Sequence, residues 1–196
     1  MTFAKLTPAA LQQMKRDGRK IAAVVCWDSN TAKVADAAGI EIVSVGDSAA
    51  PGLDELLLFC AAVRRGVTRA LVSCDLPEPS VEAARRLVAV GADMVKVEGI
   101  DNVAAISAAG IVVFAQIVDA AEAKPMEEAG ASLIDFRHSG PDAGAKAAAA
   151  VAIPVLGGLG GGPWLDGRVR AIHRLLDEPI AAYLDDVRNS RPVKGD

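Results

Sequence analysis

The chain has 196 residues, with 21 Lys and Arg against 25 Asp and Glu for a formal net charge of −4. That length suits one domain with a sizeable core and is short for two. There is no basic stripe and aromatics are only 4 % of residues, which excludes DNA grooves and single strands as natural partners.

Residues 1–19 are polar and amphipathic and do not read as a signal peptide. The apolar runs beyond them are too short to cross a bilayer. Three cysteines, Cys26, Cys60 and Cys74, show no C-x-x-C spacing, so neither a disulfide framework nor a structural zinc site is expected and a cytoplasmic location fits. One pattern then recurs along the chain. A helical stretch ends in a small residue plus Gly, and an apolar run follows at once, at Ala38-Gly39, Val90-Gly91, Ala109-Gly110 and Ala129-Gly130. Gly after a helix takes the left-handed conformation that ends it, so each repeat reads as helix, cap, strand. Strands are predicted near 20–26, 41–46, 69–75, 93–98, 111–117, 131–137 and 153–157, with a weak eighth near 168–172.

Seven or eight such units predict an α/β fold of the compact TIM-type (β/α)8 barrel class. The chain is shorter than the ~250 residues usual for that fold, so helices and loops must be trimmed. An open sheet of about six strands is the structural alternative. One domain over residues 1–188 is expected, with 189–196 as a C-terminal tail.

In a TIM barrel the site lies at the carboxyl ends of the strands. Those positions hold Cys26-Trp27-Asp28, Gly46-Asp47-Ser48, Cys74-Asp75, Lys96-Val97-Glu98, Gln116, Arg137-His138 and Gly157-Gly158. Asp28 and Ser80 read more simply as helix caps. Lys96 and Glu98 are two apart on a strand and share a face, so an interior location demands ions or paired charges beside them. Asp47, Asp75 and Glu98 form an oxygen-rich set that suits Mg²⁺ or a similar hard cation. A buried ion network around Lys96 accounts for the same residues. The glycine run from Gly157 to Gly162 reads either as a structural turn or as an anion site.

In order, the chain carries Ala32-Lys33-Val34-Ala35-Asp36, Val45-Gly46-Asp47-Ser48, Ala62-Val63-Arg64-Arg65-Gly66, Asp75-Leu76-Pro77, Val95-Lys96-Val97-Glu98-Gly99, Glu127-Glu128-Ala129-Gly130-Ala131 and Ile153-Pro154-Val155. On these motifs it resembles the ketopantoate hydroxymethyltransferase family of the phosphoenolpyruvate/pyruvate barrels. The resemblance implies that Asp47 and Asp75 are metal ligands and that Glu98 is one directly or through water. It implies that Lys96 and Ser48 hold the carboxylate of a small 2-oxo acid, and that the assembly is a homo-oligomer. The implied chemistry is an enolate stabilised by the divalent cation, then aldol-type one-carbon transfer, with 5,10-methylenetetrahydrofolate as the family's donor.

Three departures stand against a simple transfer of that chemistry, and against the folate donor in particular. The family's long segment after Asp47-Ser48 is reduced here to a few residues before a helix at Leu53. The family's His on the fifth strand falls on Gln116. The family's glutamate base on the sixth strand falls on Arg137, which cannot act as a base and would instead clamp a carboxylate. Asp135 shares the face of Arg137, so the two either pair or Asp135 takes over proton transfer. His138 is a weaker candidate base, while His173 and Cys74 read as packing residues, with Cys74 open to oxidation beside Asp75. The resulting expectation is an enolate-forming enzyme with Lys96, Asp135, Arg137 and Gln116 in the reaction. The alternatives are a C–C lyase, in which Arg137 holds an extra carboxylate, or an inactive homologue that binds a 2-oxo acid or serves as an assembly subunit.

Overall fold

A computed structural model describes residues 4–46, 51–157 and 164–176, together with 179, 182, 184 and 185. Eight parallel strands close into a barrel in the order β1 to β8, with β1 bonded to both β2 and β8. They are β1 (Ile21–Val25), β2 (Ile42–Val45), β3 (Leu71–Asp75), β4 (Met94–Glu98), β5 (Val113–Ile117), β6 (Leu133–Phe136), β7 (Val155–Gly157) and β8 (Gly167–Ala171). The closed barrel, not the open sheet, is therefore the architecture, and the weak eighth strand is present.

The helices are α1 (Pro8–Arg16), α2 (Ser29–Ala37), α3 (Leu53–Gly66), α4 (Val81–Ala89), α5 (Ile100–Ala108), α6 (Ala123–Glu128) and α7 (Pro141–Ala150). Most have nine residues or thereabouts, which is how a barrel fits a chain this short. The expected caps are found. Gly39, Gly91, Gly110 and Gly130 all have φ between 77° and 115°, the left-handed region that ends a helix. Asp28 caps α2 through Asn30 and Thr31, and Ser80 caps α4 through Ala83.

Alternation along each strand divides the core into two layers. Val24, Val43, Val72, Val95, Val97, Val113, Ile134 and Val155 face the helices. Ile21, Ile42, Leu71, Met94, Phe114, Leu133 and Leu156 face the barrel axis. Helix α1 precedes the first strand and lays Leu11 and Met14 against that axial group, so it closes the amino-terminal end of the barrel. The axial face changes character toward the other end. Buried Ser44 and Ser73 share a hydrogen bond of 2.8 Å, and above them the same alternation delivers Asp75, Lys96, Glu98, Gln116 and Asp135.

Among the described residues, no helix is long and apolar enough to cross a membrane. The proposed tail, residues 189–196, lies outside the described residues.

Candidate active site

The strand register brings the polar side chains together. Asp75 on β3 pairs with Lys96 on β4, Glu98 pairs with Gln116 on β5, and Gln116 pairs with Asp135 on β6. These neighbours ring the carboxyl end of the barrel. Lys96 is the most enclosed, with only 5 % of its side chain exposed. Its Nζ lies 3.0 Å from Asp135 Oδ2 and 3.7 Å from Asp75 Oδ1, and 4.9 Å above the centre of the Phe114 ring. Burial works against the ammonium, but Asp135 and then Asp75 outweigh it and hold its pKa above the ordinary lysine range. Lys96 is thus a cation at neutral pH and cannot be a base.

Asp75 is held differently. Burial pushes its carboxyl above the usual carboxylate range, with the Lys96 charge opposing and Asp135 adding to the effect. Its Oδ1 is buried without a hydrogen-bond partner, the distance to Lys96 being too long for one. The main chain of Gly46 packs against the same carboxylate so closely that a Cβ at position 46 would overlap it. The Gly46 carbonyl is itself fixed by the indole N–H of Trp27 at 3.1 Å, and the Trp27 ring stacks on His173 at 6.0 Å between centroids. His173 is therefore a packing partner, as expected. The sequence marks Trp27 only as a strand-end residue, because an indole reaching the next strand leaves no local signature.

Two carboxylates around one ammonium leave the cluster with one excess negative charge, next to an unpartnered carboxylate oxygen. That arrangement fits a cation. The third expected ligand, Asp47, lies outside the described residues, as does Ser48. Among the described residues, no group of three or more His, Cys, Asp or Glu is placed to hold a metal.

Asp75, Lys96, Glu98, Gln116 and Arg137 line one cavity of about 270 Å³, whose remaining wall is Pro51, Leu56, Leu76, Pro77, Pro79 and Val97. It falls just below the ~300–1,000 Å³ of drug-sized ligand sites, which suits a small metabolite. Asp135 is not on this wall and sits behind Lys96. Of the two arrangements expected for Asp135, pairing with Arg137 is not the one formed: the carboxylate goes to Lys96, while Arg137 Nη1 faces Glu98 Oε1 at 3.8 Å. Lys96 lies deeper than Arg137 and offers Asp135 a short buried contact, whereas Arg137 extends toward the rim.

His138 follows Arg137 with φ 56°, is exposed, and is not on the cavity wall. Cys74 faces the helices and meets Cys60 of α3; that hydrogen bond, then burial, pushes its thiol far above the ordinary range. Residues 158–162 of the glycine run lie outside the described residues.

The sequence profile of ketopantoate hydroxymethyltransferase matches residues 5–119, more than half of the chain. The chain belongs to this family. A 3-methyl-2-oxobutanoate hydroxymethyltransferase of Cyanothece sp. is 35 % identical, over 84 % of this chain and 81 % of its own. The aligned span of 213 residues exceeds the 196 of this chain, so the relative carries segments that this shortened family member lacks. The fold is shared more widely. A phosphonopyruvate hydrolase solved in complex with oxalate and Mg²⁺ has a TM-score of 0.67 at 17 % identity, covering 96 % of this chain and 89 % of its own. A 2,3-dimethylmalate lyase of the PEP mutase/isocitrate lyase superfamily has a TM-score of 0.68 at 14 % identity, covering 93 % and 86 %. Family relatives and fold neighbours alike are enzymes.

Proposed function

We propose that this chain forms the enolate of a small 2-oxo acid at the carboxyl end of the barrel, in an aldol-type reaction that makes or breaks a C–C bond. The observation that carries this reading is the Asp75–Lys96–Asp135 cluster, with Lys96 and Asp135 buried and one excess negative charge, opening through Asp75 and Lys96 onto a small cavity. The similarity to a 3-methyl-2-oxobutanoate hydroxymethyltransferase supports a 2-oxo acid as substrate. The Mg²⁺ and oxalate named for the phosphonopyruvate hydrolase complex support a divalent cation beside a planar oxo acid.

Asp75 and Asp47 would hold the cation, with Glu98 beside it directly or through water. When bound, the cation supplies Lewis-acid stabilisation of the charge that develops on the keto oxygen. Lys96 stands at the floor with its ammonium fixed by Asp135, and it donates toward the substrate's carboxylate together with Ser48. Asp135 acts through Lys96 as a positioning residue. Gln116 offers the wall a neutral hydrogen-bonding group. The substrate proton goes to a carboxylate, because Lys96 and Arg137 are cations and Gln116 has no basic group. With Asp47 and Asp75 on the cation, Glu98 is the described wall carboxylate that can accept it, provided that it meets the cation through water and not directly.

The test is exchange. Incubated with Mg²⁺ and 3-methyl-2-oxobutanoate in D₂O, the protein should remove the C3 proton signal from the NMR spectrum. Absence of exchange across several 2-oxo acids, with Mg²⁺ binding confirmed, would instead favour a binding protein. Asp75→Ala should lose Mg²⁺ affinity, and full retention would overturn the ligand assignment.

A further inference from the structure

The cavity holds two cations at two depths, and they are not equivalent. Lys96 at the floor is enclosed and opposed by both Asp75 and Asp135, with the Phe114 ring beneath it. Arg137 at the rim has 44 % of its side chain exposed, and among the described residues its one ion pair is to Glu98 at 3.8 Å, beyond hydrogen-bond distance. Its backbone N–H still bonds the Ile117 carbonyl at 2.9 Å, so the main chain carrying the guanidinium stays anchored to β5. Arg137 therefore lines the cavity and carries a planar fork of five donors with no hydrogen-bond acceptor among the described residues.

From this we infer that Arg137 receives a second carboxylate on the substrate, so that the site's substrate class is a 2-oxo dicarboxylate. The inference rests on the reading above that the 2-oxo acid group sits at the floor, by Asp75 and Lys96. The opposite end of a bound acid then meets the rim. A monocarboxylate puts an alkyl group there and leaves the guanidinium with one distant partner. A dicarboxylate supplies the bidentate acceptor that its geometry matches. At about 270 Å³ the cavity has room for an acid as small as a four- or five-carbon 2-oxo dicarboxylate.

The experiment compares 2-oxoglutarate with 2-oxopentanoate, which share a carbon skeleton and differ in the terminal carboxylate. Binding is measured by calorimetry in the presence of Mg²⁺, and C3 deuterium exchange by NMR, for the wild type, Arg137→Met and Arg137→Lys. The wild type should bind 2-oxoglutarate the more tightly. Arg137→Met should cut that preference about 10- to 100-fold, with Arg137→Lys between them because it keeps the charge and loses the fork. Equal binding of the two acids by the wild type, or an unchanged ratio in Arg137→Met, overturns the proposal. A preference that vanishes in Arg137→Met without exchange of either acid upholds the role of Arg137 and removes the enolate reading instead. If the wild type binds neither acid, both fall.

Discussion

The ammonium of Lys96 on β4 reaches across β5, over the ring of Phe114, to the carboxylate of Asp135 on β6, 3.0 Å away. This contact ties three neighbouring strands together at the carboxyl end of the barrel and fixes the cation at the cavity floor. Charges this deep are tolerated only when paired, so breaking the pair costs more than the pair itself contributes.

Lys96→Met should therefore lower stability by about 3–5 kcal/mol, because the buried carboxylate of Asp135 loses its cation and the partly exposed one of Asp75 loses its neighbour. Urea unfolding at neutral pH measures it. Adding Asp135→Asn to Lys96→Met should recover part of the loss. Additive costs in the double variant would mean that the two residues do not interact as described.

Gly46→Ala should act through Asp75. The added methyl overlaps the Asp75 carboxylate, which must move or force the main chain of β2 aside. Overpacking of this kind costs about 1–3 kcal/mol. Mg²⁺ affinity, followed by titration calorimetry, should fall in parallel, and an unchanged affinity would separate the metal site from the Asp75 carboxylate.

Asp36 gives a pH prediction far from the cavity. Burial raises the pKa of its carboxyl, but the N–H groups of Ala70, Thr68 and Arg69 and the Thr68 hydroxyl outweigh burial and leave it below the ordinary value of 3.8. The unfolded chain then binds a proton before the native one does, so stability rises with pH across this window. The contribution is complete above the ordinary value and is lost as pH falls through the native one. Asp36→Asn should cost about 3 kcal/mol at pH 7 and flatten the acid limb of a stability-against-pH curve obtained by denaturant unfolding.

The thiols should be silent in the native state. Cys26, Cys60 and Cys74 are all fully buried, and burial pushes the Cys26 thiol up to about 11 against the hydrogen bond from Thr31. A thiol-reactive dye at pH 8 should label none of the three on a timescale of minutes and all of them in urea. Rapid labelling of Cys74 in the native protein would contradict its position between β3 and α3.

Much of this architecture is legible along the chain. Helix-ending glycines at 39, 91, 110 and 130 mark where strands begin, because the left-handed conformation is a local property of the backbone. The two-residue period of a strand puts Lys96 with Glu98, and Asp135 with Arg137, on one face without knowledge of any partner. What lies across the barrel is not local. The preference of Asp135 for Lys96 over Arg137 depends on barrel curvature and on how deep each cation reaches. The role of Asp36, bonded to residues more than thirty positions away, and of α1, which closes the barrel floor, likewise follows from closure of the fold.

The polar residues at the strand ends were thus determined by the sequence alone, since alternation and helix caps are set within a few residues. Tertiary structure decided which of them act together. It buried Lys96 between two carboxylates, withdrew Asp135 behind it, and left Arg137 on the cavity wall, half-exposed, with Glu98 as its distant partner. The physical reason is that charge pairing in a closed barrel is chosen by distance and depth, and both exist only after eight strands have met.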